Sequence, residues 1–181
     1  MKQPGMDPAK PVFMNETWAK TNMTRLRGRS PSGRRLVEKV PHGHWKTTPL
    51  VAALDHRGMR CGMTVDGAID DEHFTAFCQQ VLAPTLSPGE VVVMDNLSSH
   101  KVKGVRDAIV AAEARVLYLP PYSPGYNPIE NALSKLNQGL RSAGHRRADQ
   151  LWSDRRQRLP DTPPSDAAGY FRHCGYTLQT N

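Results

Sequence analysis

Two acids in this chain stand where a folded protein places working groups. Asp95 closes the apolar run Val91 to Met94. Glu130 follows the stiff segment L-P-P-Y-S-P-G-Y-N-P-I, which itself follows a second apolar run, Val116 to Leu119. A side chain just past a buried strand sits at the strand's carboxyl end, where α/β sheets carry their functional groups. Two carboxylates so placed are oxygen donors of the kind a hard divalent cation prefers. In a basic chain, such a site suits chemistry on a phosphodiester backbone. Each acid has a purely structural alternative. Asp95 can be a turn residue or a helix cap. N-P-I-E, residues 127–130, reads as an N-cap with proline at the first helical position and a capping-box acid. The pair says more than either member. The 34 residues between them hold one helix, one strand and one rigid loop, enough to bring Glu130 back beside Asp95.

Other side chains fall near these acids in the expected layout. Asn96 and Thr17 are candidates to bond Asp95. His100, at the start of the next helix, is placed for a phosphate contact or a surface cap. Lys101, Lys103, Lys135 and Arg141 lie on helices where they either track phosphates or are simply solvated. Tyr122 and Tyr126 in the proline loop are suited to stacking on bases or to local packing.

With 181 residues the chain has the length of one domain with a full hydrophobic core. Its net charge of +7 points to a polyanionic partner, nucleic acid above all, with an ordinary basic enzyme as the alternative. Three widely spaced cysteines, Cys61, Cys78 and Cys174, with no C-x-x-C, argue against structural zinc and a disulfide framework. No apolar run approaches the roughly 18 residues of a membrane span, and the first residues lack the apolar core of a signal peptide. The expectation is a soluble, cytoplasmic protein with no membrane partner.

The elements that must position the acids follow from periodicity. Residues 1–10 are a polar lead-in. Val12 to Met14 is a buried strand expected to end at Asn15-Glu16-Thr17. Trp18 to His44, rich in Arg, Lys, Gly, Ser and Pro, is a basic loop over the substrate or a solvated connector. Leu50–Leu54 and Met59–Val65 form a hairpin turning at Asp55 to Gly58. Asp71 to Leu86 carries Phe74, Phe77, Cys78, Val81 and Leu82 at helical spacing, with Asp70 or Asp71 as cap. Val91 to Met94 is a strand buried on both faces. Lys101 to Ala114 is a crossover helix, Arg115 to Leu119 a strand and Asn127 to Ser142 a helix. The order implies an α/β fold: a mixed sheet with helices on both faces. The divisions expected are a lead-in at 1–10, a domain at 11–145, and a weakly periodic tail at 146–181 packing on that domain.

At this point M-D-N-L-S-S-H-K, followed by L-P-P-Y-S-P-G-Y-N-P-I-E-N, resembles the catalytic domain of bacterial insertion-sequence transposases of the mariner-like superfamily. V-F-M-N-E-T-W-A-K-T-N-M, P-H-G-H-W-K-T and Y-F-R-H-C-G-Y resemble it too, and the interval between the acids matches that group's spacing. The resemblance implies a DDE-type enzyme with an RNase H-like fold of five mixed strands. It implies two Mg²⁺ or Mn²⁺ ions held by Asn15's position, Asp95 and Glu130, and cleavage and joining of DNA strands. Double-stranded DNA, as transposon end and as target, is the implied partner, in a nucleoid-associated setting. Arg25, Arg27, Arg34, Arg35 and Lys46 of the basic segment, with His100, Lys101 and Lys135, are the expected DNA contacts.

Two departures bear on activity. The family's first acid, ahead of Glu-Thr, is here Asn15. An amide offers at most one neutral oxygen to a cation. If Asn15 faces the site, Glu16 faces away from it unless the strand slips or bulges. The catalytic-type domain also begins almost at residue 1, where relatives carry helix-turn-helix modules. The expectation is therefore a transposase domain impaired by Asn15 that works as a homo-oligomer or with a separate helix-turn-helix protein. The alternative is a catalytically dead remnant that only binds DNA or inhibits.

Overall fold

The structure is a computed structural model that describes residues 7, 9–96, 102–121 and 123–176. Five strands form one sheet: β1 (Pro11–Lys20), β2 (Thr47–Asp55), β3 (Gly58–Thr64), β4 (Val91–Met94) and β5 (Arg115–Tyr118). Their spatial order is β3-β2-β1-β4-β5. The β1–β2 and β2–β3 pairs are antiparallel, while β4 runs parallel to both β1 and β5. This is the mixed sheet expected from the sequence.

Local chemistry explains the two halves. Asp55 and Gly58 pair across a tight hairpin turn. The Asp55 carboxylate accepts the Arg57 backbone N–H at 2.7 Å and also its guanidinium. Gly58, at φ +133°, passes so close to Thr162 that a Cβ would run into that residue's carbonyl. The parallel strands need a crossover, and helix α2 (Lys103–Ala111) supplies it between β4 and β5.

Strand β1 is longer than the sequence suggested. It runs on to Lys20 rather than ending at Asn15-Glu16-Thr17, because β2 supplies backbone partners along its length, out to Lys20 opposite Thr47. Its pairing with β4 stops much earlier, at Phe13 opposite Val93.

Alternation along β1 divides the interior into two cores. Phe13 and Ala19 join Leu50, Ala52, Leu54, Val91 and Val93 beneath helix α3 (Pro128–Ala143). Val12 and Met14 join Val51, Ala53, Val92 and Met94 on the other face, beneath α2 and the segment 71–85. That segment begins as helix α1 (Asp71–Ala76), with Asp70 accepting the His73 N–H at 2.9 Å. It widens into a π-helical turn, Phe77–Leu82, and tightens into a 3₁₀ turn, Ala83–Thr85. Pro84, which has no N–H to donate, marks the end of the regular ladder. Phe74, Phe77, Cys78 and Leu82 are fully buried, as their spacing implied.

The region expected to be a weakly periodic tail is two helices, α4 (Ala148–Arg158) and α5 (Pro164–His173). Helix α4 escaped the periodicity because its buried residues are only Leu151 and Arg155, and arginine does not register as a core residue. Helix α5 seats Phe171 edge-on against Phe13, with ring centroids 5.3 Å apart, and Tyr176 closes the cluster 5.0 Å from Phe13. Among the described residues, no helix is long and apolar enough to cross a membrane.

Candidate active site

Register brings the first two positions together. β1 pairs with β4 as Pro11 to Val91, Val12 to Val92 and Phe13 to Val93. Asn15 and Asp95 lie two residues beyond the last pair of this ladder, each past the same end of it. Phe13 and Val93 both belong to the core under α3. By alternation, Asn15 and Asp95 face that side as well.

Helix α3 brings the third. Ile129, Ala132, Leu133, Leu136 and Leu140 are buried on the sheet, which fixes the helix rotation and leaves Glu130 in the first turn at the sheet's carboxyl edge. Asn15 Nδ2 donates to Glu130 Oε1 at 2.6 Å. Asn15 Oδ1 accepts the Glu16 backbone N–H at 2.7 Å. These two bonds fix the orientation of the amide: nitrogen toward Glu130, oxygen toward the main chain. Asn15 is 5% exposed. The capping alternative for N-P-I-E is only half realised. Asn127 is the N-cap with Pro128 behind it, but no side-chain cap bond forms there, and the Glu130 carboxylate is turned to Asn15.

Asp95 and Glu130 line one cleft of about 380 Å³, together with Asn96, Leu119, Ser123 and Asn127. Partial burial raises the Glu130 pKa above its ordinary 4.5. The Asn15 hydrogen bond opposes that rise, and the nearby Asp95 charge adds to it. Glu130 also lines a second hollow of about 590 Å³, with Arg25, Arg27, Asn137, Gln138 and Arg141 among others. Thr17 lines this hollow too, its Oγ1 accepting the Asn137 Nδ2–H at 2.7 Å.

The other expected contacts divide. Arg25 and Arg27 share the hollow with Glu130. Arg34, Arg35 and Lys46 are exposed on the long connection between β1 and β2. Lys135 lies on a different face of α3, its Nζ 2.6 Å from Asp166 of α5, so it does not share the groove. The Tyr126 side chain is exposed, and its backbone carbonyl accepts the Tyr176 hydroxyl at 2.9 Å. His100, Lys101 and Tyr122 lie outside the described residues. The basic hollow itself was not legible from sequence, because Arg25, Arg27 and Arg141 come from segments more than a hundred residues apart.

The fold has known counterparts. The chain's fold is similar to Mos1 in a pre-cleavage transpososome, at a TM-score of 0.71 and 16% identity, over 93% of this chain and 52% of that one. It is similar to the Mos1 strand transfer complex at a TM-score of 0.68 and 18% identity, over 92% and 50%. It is similar to the Mos1 transposase catalytic domain solved with raltegravir and Mg at 0.58 and 14%, over 92% and 77%. The chain thus spans about half the length of the first of these, and it has their RNase H-like fold. No curated protein matches it. The profile of the family described as DDE superfamily endonuclease matches residues 10–152, a span that contains Asn15, Asp95 and Glu130, and by that match the chain belongs to the DDE superfamily endonucleases.

Proposed function

We propose that this chain is a transposase catalytic domain that acts on the phosphodiester backbone of double-stranded DNA, and that Asn15 leaves it strongly impaired. The observation that carries the proposal is the convergence of Asp95 and Glu130 on one cleft, with Glu130 also lining an arginine-rich groove. The Mos1 structures support DNA as the partner, since they include a transpososome and a strand transfer complex. Transposon ends and target DNA are the proposed substrates, bound by a homo-oligomer or with a helix-turn-helix protein, in a cytoplasmic, nucleoid-associated setting.

Mos1 has been solved with Mg and with Mn, and the donor set here decides how many such ions fit. Asp95 and Glu130 fit one: Mg²⁺ is commonly held by one or two carboxylates with water completing the shell. A second ion is not supported. Asn15 turns an N–H, not an oxygen, toward Glu130, and no cluster of three or more His, Cys, Asp or Glu occurs among the described residues. The chemistry a bound ion supplies is Lewis-acid activation of the phosphodiester and of water. The chain's own part is to align the DNA through phosphate contacts of Arg25, Arg27 and Arg141, and to hold the reacting phosphate beside Asp95 and Glu130.

The test is Mn²⁺-dependent nicking of a transposon-end duplex by the unmodified chain and by Asn15→Asp, with a DNA-binding partner supplied. Asn15→Asp is expected to nick on the order of 10³-fold faster or more, each tenfold being about 1.4 kcal/mol of barrier. Asp95→Ala in that background abolishes nicking. Equal rates for the unmodified chain and Asn15→Asp would refute the assignment of Asn15 to the first ligand position. A second reading, a catalytically dead domain that binds DNA non-specifically or inhibits a relative, is favoured by the direct Asn15–Glu130 bond. It predicts no nicking by the unmodified chain at any Mn²⁺ concentration.

A further inference from the structure

Arg25 and Arg27 lie on the connection between β1 and β2, and neither is in a strand or a helix. No ladder of backbone bonds fixes where their guanidiniums stand, so the root of the connection must. That root is closed. The Thr21 N–H donates to the Lys46 carbonyl, and the Lys46 N–H donates to Thr21 Oγ1, both at 3.1 Å. The chain then turns at once. The Met23 N–H returns to the Lys20 carbonyl at 3.0 Å, and the Met23 side chain joins the core beneath α3. Arg25 follows two residues later.

Arg146 reaches this root from the α3 side of the groove. Helix α3 ends at Ala143, and Gly144 caps it at φ +66°, the left-handed conformation that glycine takes without strain. After that reversal, Arg146 Nη1 donates to the Met23 carbonyl at 2.8 Å, with the Thr21 and His145 carbonyls each at 3.4 Å. A charged donor makes such a bond stronger than a neutral one would. One guanidinium thus ties the root of the connection to the end of the helix that carries Arg141. Arg146 does not itself line the hollow that Arg25, Arg27 and Arg141 share.

We propose that Arg146 is a positioning residue for DNA binding. By holding the Met23 and Thr21 carbonyls it fixes Arg25 and Arg27 across from Arg141, so that the three guanidiniums meet one stretch of phosphates. The proposal rests on the reading of this hollow as the DNA groove. Its rival is a direct phosphate contact by Arg146, and a double-mutant cycle separates the two.

The experiment measures duplex affinity by fluorescence anisotropy for four proteins: the full chain, Arg146→Ala, the Arg25→Ala and Arg27→Ala double variant, and all three changes together. Arg146→Ala is expected to weaken binding about fivefold to tenfold, the scale of one exposed hydrogen bond. In the background that lacks both arginines the same change costs less than about twofold, because nothing is left to position. Arg146→Lys, which keeps a charged donor, stays within about threefold of the unmodified chain. Limited trypsin digestion, with both proteins shown to be folded by circular dichroism, cuts after Arg25 and Arg27 several-fold faster in Arg146→Ala. Unchanged affinity or unchanged cleavage in Arg146→Ala overturns the proposal. So does an equal fold-loss with and without Arg25 and Arg27, which makes Arg146 a phosphate contact in its own right. Full affinity in the Arg25→Ala and Arg27→Ala double variant is a different failure: it refutes the groove reading, and the proposal falls with it.

Discussion

Asn15 and Glu130 lie 115 residues apart in sequence and share a hydrogen bond of 2.6 Å across the end of the sheet. In a site of three carboxylates this contact would be a repulsion that a cation must relieve. Here an amide N–H satisfies one of the acids directly, and the site holds two carboxylates, Asp95 and Glu130, with an amide beside them.

Replacing that donor with a carboxylate reverses the sign of the contact. Asn15→Asp without divalent ions is expected to lose about 1.5–3 kcal/mol, the scale of a hydrogen bond to a charged group, and to recover most of it in Mn²⁺. Urea unfolding of both proteins with and without MnCl₂ measures this. Metal-independent stability of Asn15→Asp equal to that of the unmodified chain contradicts it.

Glu130 supplies a pH signature. Its folded pKa is raised above 4.5, chiefly by partial burial, so the folded state holds this proton more tightly than the unfolded chain does. Stability therefore falls as pH rises from the ordinary carboxylate value through the folded pKa, and the cost is fully present above that window. Glu130→Gln, which keeps an acceptor for Asn15, is expected to be more stable than the unmodified chain at neutral pH. That advantage shrinks as pH is lowered through the window. Urea midpoints followed from about pH 4 to 7 report the difference, and a gap that widens on acidification refutes it.

Arg25, Arg27 and Arg141 share one groove, whereas Lys135 is paired with Asp166. Changing any of the three arginines to Ala is expected to weaken duplex binding and reduce the slope of log affinity against log salt by about 1. Lys135→Ala leaves DNA affinity unchanged and costs at most about 1 kcal/mol of stability as a half-exposed ion pair. Fluorescence anisotropy over a salt series separates the two classes.

Helix α5 is held to the sheet by aromatic packing, with Phe171 fully buried against Phe13 and Tyr176. Phe171→Ala is expected to cost about 3–5 kcal/mol, measured by urea unfolding. A loss under about 1 kcal/mol would mean that α5 adds little to the fold.

How much of this was legible beforehand depended on the kind of signal. Val91–Met94 and the α3 stripe Ile129, Leu133, Leu136 and Leu140 announce themselves because burial of a strand or a helix face imposes a period on the residue types. Helix α4 does not, because Arg155 is the wrong letter for a core position. The end of β1 was misjudged because its polar residues beyond Met14 are held by backbone pairing with β2, which leaves no mark on side-chain pattern.

By itself the sequence determined the two acids, their interval, the presence of an amide at Asn15 and the order of strands and helices as far as α3, all of which are local or pairwise properties of the chain. Only the tertiary structure decided that the Asn15 nitrogen, not its oxygen, meets Glu130, that Arg25, Arg27 and Arg141 share a groove, and that Lys135 is spent on Asp166. Those outcomes rest on strand register, helix rotation and the direction of single hydrogen bonds, which follow from the packing of the whole domain rather than from any one segment.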